Sequence, residues 1–171
     1  MRNLITYEEI GQRARPCTTD RDMAEAMIAE AQRVDLKPRL GDALYIELIK
    51  GQPEERFTVL LEGGTWECGG KTVGLLTGIK TALAYYALAR IIRDGNIQAS
   101  AYGAVLKDDQ NSQDPEKTER QRQYRELFAQ ADAYMTEALG YIAANRDKFP
   151  EFAVCRRNMR SNRMTIRVIG K

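Results

Sequence analysis

The chain has 171 residues, 43% hydrophobic and 29% charged, with a formal net charge of +2, and is long enough to bury one core without disulfide or metal staples. It contains no histidine, which removes the commonest general base, the Ser-His and Cys-His dyads and the commonest metal ligand together. Cys17, Cys68 and Cys155 are odd in number and far apart, giving neither a disulfide framework nor a zinc spacing, and with no apolar run fit to span or enter a membrane an intracellular address is expected.

Thr6-Tyr7-Glu8-Glu9 is a capping box, so a short helix is expected to about Ala14, ahead of Pro16. Thr19-Asp20 starts a second helix, whose stripe Met23, Met27, Ile28, Ala31 and Val34 is expected to be buried; Leu36-Lys37-Pro38 is expected to break the chain. Leu40, Leu44, Tyr45, Leu48 and Ile49 describe a third helix that Gly51 closes, and Pro53 opens a fourth that stops at Gly63-Gly64. From Thr65 to Val73 the period changes to two around Gly69-Gly70. This predicts a β-hairpin that pairs Cys68 with Lys71 and Trp66 with Val73.

The stretch from Leu75 to Arg93 is apolar around nearly its whole circumference as a helix. Lys80 and Arg90 lie inside it, about 15 Å apart along such a helix, so protein rather than lipid is its solvent: neighbouring helices, sister subunits, or both. After Gly95-Asn96 an extended segment with Gly103 at a bend or bulge leads to a polar loop. Asp114-Pro115-Glu116 then opens the longest helix, whose stripe runs from Tyr124 through Leu127, Phe128, Ala131, Tyr134, Met135, Ala138, Leu139 and Ile142 to about Asn145. At about 45 Å this helix is longer than a compact domain of this size needs, so part of it is expected to meet something outside the subunit.

Beyond Phe149-Pro150 the composition turns basic. Residues 155–171 hold six cations and no acid, which leaves residues 1–154 at −4. A basic tail on a mildly acidic body implies an acidic partner surface, phosphate, or a sister subunit. Met164 to Ile169 alternates as a final strand without an obvious sheet of its own. The expected fold class is therefore mainly α, a helical bundle around a central apolar helix with a small β-hairpin and an extended C-terminal strand or arm. The expected division is a helical domain over 1–152 and a basic arm over 153–171.

The strongest catalytic motif is Gly70-Lys71-Thr72, but a phosphate-binding loop requires a glycine where Thr65 stands, and Gly64 lies one position too far. Cys68 has no histidine to activate it. The paired acids Glu8-Glu9 and Asp108-Asp109 fall at a helix start and in a polar loop, where solvation explains them. No catalytic, metal or cofactor site is expected, and the chain reads as a non-enzyme. The arginine-rich tail leaves an alternative, a small nucleic-acid-binding or packaging-associated protein.

Five stretches, LITYEEI, EAQRVDLKPRLGDALYIELI, GLLTGIKTALAYYALAR, SAYGAVLKDDQNSQDPEK and YIAANRDKFPEF, together resemble the head-to-tail connector (adaptor) proteins of tailed bacteriophages, in the version found in phages of gut Bacteroidetes and their crAss-like relatives. The resemblance covers most of residues 4–152. It implies a virion protein at the head-tail interface, assembled in the host cytoplasm as a homo-oligomeric ring, typically dodecameric, bound to the portal protein and to a tail or stopper protein. Contact with passing DNA would be transient and non-specific, and no membrane is involved. Within that expectation Arg156, Arg157, Arg160, Arg163, Ile166 and Val168 would dock onto the portal or a neighbouring subunit. Trp66, Lys71, Tyr102, Gly103 and Val105 would lie between subunits.

Overall fold

The computed structural model describes residues 2–51, 54–68, 71–94, 97–100, 103–106 and 117–152. Helices α1 (Tyr7–Arg13) and α2 (Arg21–Ala31) come first; α2 runs through a π-helical turn (Gln32–Leu36) into α3 (Lys37–Leu40), followed by α4 (Asp42–Lys50) and α5 (Glu55–Glu62). A hairpin of β1 (Gly64–Cys68) and β2 (Lys71–Leu76) precedes the central helix α6 (Ile79–Asp94). A second hairpin of β3 (Ile97–Ser100) and β4 (Gly103–Leu106) follows it, and α7 (Lys117–Ala144) is the longest element. The architecture is mainly α, a bundle around a central helix, and each of its two-stranded sheets is antiparallel.

The local signals act as their chemistry dictates. Thr6 Oγ1 accepts from the Glu9 amide while the Glu9 carboxylate accepts from the Thr6 amide at 2.9 Å, a reciprocal capping box. Asp20 caps α2 by accepting from the Met23 amide at 3.0 Å. Gly51 ends α4 in the left-handed region at φ 68°. The start of α5 is at Glu55 with Glu54 as N-cap, so the expected role of Pro53 falls on a residue outside those described.

Leu36-Lys37-Pro38 does not break the chain. The turn ahead of it widens to π geometry, with the Lys37 amide donating to the Gln32 carbonyl five residues back, and Pro38 follows directly, in the first positions of α3. The break comes at Gly41, with φ 82°. Ala24, Ile28, Ala31 and Asp35 keep ordinary helical spacing on the buried side, with Gln32 beside them, so the expected core residue Val34 falls at the edge of that stripe and is 56% exposed; past the extra residue the inward positions are Leu36 and Leu40.

The central helix begins four residues later than expected. Leu75 and Leu76 finish β2, and Gly78 at φ 91° separates strand from helix. From Ala82 to Ile91 every residue of α6 is buried, enclosed by α1, α2, the π turn and α5 on one side and by α7 on the other. One subunit therefore clothes its own central helix, and of the two wrappings expected the neighbouring helices suffice. Leu127, Ala131, Met135, Ala138, Tyr141 and Ile142 of α7 form the facing stripe at three- and four-residue spacing. Edge-on ring contacts between Tyr86 and Phe128 (5.0 Å) and between Tyr85 and Tyr134 (5.4 Å) fix its register. Each fully buried Leu or Ile here contributes about 1.5–3 kcal/mol.

Candidate interaction surfaces

The charges on α6 are held by neighbouring elements at both ends. Near its N-terminus Lys80 bonds Glu9 of α1 and Glu62 of α5, and Arg13 bonds the same two carboxylates. Burial alone would raise the Glu62 carboxyl, but the hydrogen bonds and charges of Lys80 and Arg13 hold it below its ordinary value. Two residues ahead of the helix, the Thr77 amide and hydroxyl each donate to Glu137 of α7 at 2.9 Å, so a carboxylate sits at the positive end of α6.

Near the other end Arg90 is 5% exposed and donates to Asp35, itself 7% exposed, and to Glu30 at 2.7 Å. Burial pushes the Asp35 carboxyl up, against the pull of Arg90 and Arg39. Asp132 of α7 accepts from Arg39 of α3 at 2.6 Å and from the Tyr86 hydroxyl. Burial, together with that bond to a carboxylate, raises the Tyr86 phenol far above its ordinary value. These groups join helix to helix. Among the described residues no cluster of His, Cys, Asp or Glu is placed to hold a metal ion.

Of the expected inter-subunit residues, Trp66 lies half-buried in β1 with its ring edge-on to Tyr141 at 5.4 Å. Its strand partner is Gly74, not Val73, because a β-bulge follows Trp66 and leaves Val73 unpaired. The reason is steric. Opposed residues share a face, and a side chain at position 74 would begin 3.1 Å from the indole nitrogen, so the indole lies across a glycine. Lys71 pairs with Cys68, as the two-residue loop requires, and opens a strand; a phosphate-binding loop would need a helix to start there.

Gly103 and Val105 are in β4, paired with Ser100 and Gln98. In place of the expected bend or bulge, Gly103 is the first paired residue of β4, and Tyr102 lies outside the described residues. So do Arg156, Arg157, Arg160, Arg163, Ile166 and Val168, with the whole expected C-terminal strand. The hairpins leave opposite ends of α6, so the expected inter-subunit residues divide between two places separated by a helix of about 24 Å.

Sequence reasoning missed Leu75, which opposes Thr65 on the outward face of the first hairpin and is 71% exposed. The period-two alternation through Trp66 and Glu67 was the available signal, had it been continued along β2. It also missed the Thr77–Glu137 and Arg90–Asp35 pairings, which no local pattern announces.

A family model described as a family of unknown function (DUF6712) matches residues 36–162. The chain belongs to that family. The DUF6712 match runs from the end of the π turn through α7 and past the described residues, so α1 and α2 lie ahead of it. No curated protein and no solved structure matches the chain. Among the described residues no helix is long and apolar enough to cross a membrane.

Proposed function

We propose that this chain is a structural virion protein, a head-to-tail connector subunit that closes into a ring with its own copies between a portal and a tail or stopper protein. The five stretches of sequence resemblance support that reading, and one geometric observation carries it. Helix α7 has 28 residues against 16 in α6, and its first buried residue is Leu127. The described residues of α7 ahead of it are exposed or part-buried, with Tyr124 packing at the core's edge, so about its first two turns border the core without being enclosed by it. A ring subunit needs two unlike faces, one for each neighbour. The N-terminal turns of α7 and the hairpins at the two ends of α6 would supply unlike elements at separated places. Because α6 is already covered, cohesion between subunits would come from these elements and from residues 153–171, not from the central helix.

Deleting residues 156–171 tests the reading. Circular dichroism should retain its helical signal while the truncated chain no longer docks, as a ring, onto the portal encoded in the same genome. Unchanged docking would refute the role given to the tail. If the full chain instead shifts DNA as a monomer or dimer, with an affinity that falls steeply with salt and is lost on the same deletion, the chain is a nucleic-acid-binding protein.

A further inference from the structure

Among the described residues the core encloses three polar or charged side chains, Gln32, Asp35 and Arg90, and all three meet at the π turn: two belong to it and the third bonds to it. A buried amide needs partners, and Gln32, 0% exposed, finds both in the N-terminal segment. Its Oε1 accepts from the Leu4 amide at 2.5 Å and its Nε2 donates to the Arg2 carbonyl at 3.4 Å, the donor and acceptor that a neighbouring strand would offer. The rest of that segment is fastened beside it. Asn3 donates to the Glu25 carbonyl of α2, Ile5 is 2% exposed, and the Arg2 guanidinium lies against Gly51 at the end of α4. From the same turn Asp35 reaches Arg90 of α6, and just beyond it Arg39 reaches Asp132 of α7 and lies over the Tyr86 ring.

We propose that residues 2–5 are a strap that sets the register of the π turn, so that lifting them lets the turn rewind to α and withdraws Arg39 from Asp132. A π turn carries an extra residue relative to the α-helix around it and is uncommon unless side chains hold it. Here the hold is Gln32. With the strap lifted, its amide loses both partners inside the core and turns outward to water, which carries the Gln32 carbonyl away from the Lys37 amide. Winding to α then advances Leu36 to Leu40 by one position, and Gly41, at φ 82°, is the joint that absorbs the slack ahead of α4. Whatever binds or releases the N-terminus is thereby read at α7, through a single two-state turn. The inference stands apart from the connector reading.

Coupling of this kind is reciprocal, so it can be read from both ends. In native-state hydrogen exchange, deleting residues 2–4, or Gln32→Met, should speed the Lys37 and Gly41 amides at least about 10-fold, while amides in the middle of α6 keep their rates. The Arg39 side-chain resonances, shifted by the Tyr86 ring beneath the guanidinium, should move toward those of an exposed arginine. From the other end, Arg39→Met leaves the strap's own bonds untouched and should speed the Leu4 amide by about the same factor. Faster exchange confined to the strap and Gln32 with the Arg39 resonances in place, or a Leu4 amide indifferent to Arg39→Met, would overturn the inference. So would one factor common to every amide, which would make the strap a contributor to global stability alone.

Discussion

Arg90 donates from both Nε (3.1 Å) and Nη2 (2.7 Å) to a single oxygen of Asp35, and the two side chains are only 6% and 7% exposed. A buried pair of this kind costs desolvation on both sides, so removing one partner costs more than removing both. Arg90→Ala should lower unfolding stability by about 3–5 kcal/mol, whereas Arg90→Met combined with Asp35→Leu should come within about 1–2 kcal/mol of the parent. Urea denaturation of the two variants checks this; equal losses would mean that the charge left behind at Asp35 finds water.

Glu137 offers a second test because its carboxylate receives two donors from one residue. Thr77→Val deletes the hydroxyl donor and leaves the amide, and should cost about 1 kcal/mol. Glu137→Ala leaves both donors at the start of α6 without an acceptor and should cost about 2–3 kcal/mol. Denaturation midpoints at constant m-value give both numbers.

The glycines separate into opposite predictions. Gly63 and Gly78 hold positive φ, and a Cβ would meet backbone at 2.4 and 2.6 Å, so alanine at either should destabilise by more than about 2 kcal/mol. Gly140 lies within α7, where a Cβ would meet nothing within 4 Å, and Gly140→Ala should stabilise by about 1 kcal/mol. Thermal unfolding of the three single variants distinguishes the cases by sign.

These glycines also show what could be read from sequence. Capping at Thr6 and Asp20, the stop at Gly51 and the Cys68–Lys71 turn were legible because each depends on residues within a few positions of one another. The start of α6 was not, because Leu75 and Leu76 suit a strand as well as a helix and only the backbone at Gly78 decides. Pro38 misled for a similar reason: one added residue in the preceding turn lets the helix continue. Asp35 takes the inward position that the period of α2 assigns, which an acid's presence disguises, because its partner Arg90 is 55 residues away in sequence. The interaction elements were partly legible. Trp66 and the first hairpin follow from alternation and turns, and the same alternation reaches the exposed Leu75 only once β2 is known to run to Leu76.

Acid should act through two carboxylates of opposite sign. Glu62 is held below its ordinary value of 4.5, so the folded chain gives up that proton more readily than the unfolded one. Its contribution is present above pH 4.5 and is lost as pH falls through the lower, folded value. Asp35 is raised, so the folded chain holds that proton more readily, and its contribution grows as pH falls through the folded value. Glu62→Gln should therefore flatten the acid limb of stability against pH, and Asp35→Asn should steepen it. Denaturation midpoints between pH 3 and pH 6 check both signs.

The proposed ring would be built from a finished helical body whose unlike elements face its neighbours. The most direct measurement is the mass of the full 19.4 kDa chain in solution at rising concentration, alone and beside its portal, with negative-stain images of the same samples. A closed assembly of many copies with a central hole is the expected result. A monomer at every concentration, with and without the portal, would contradict it.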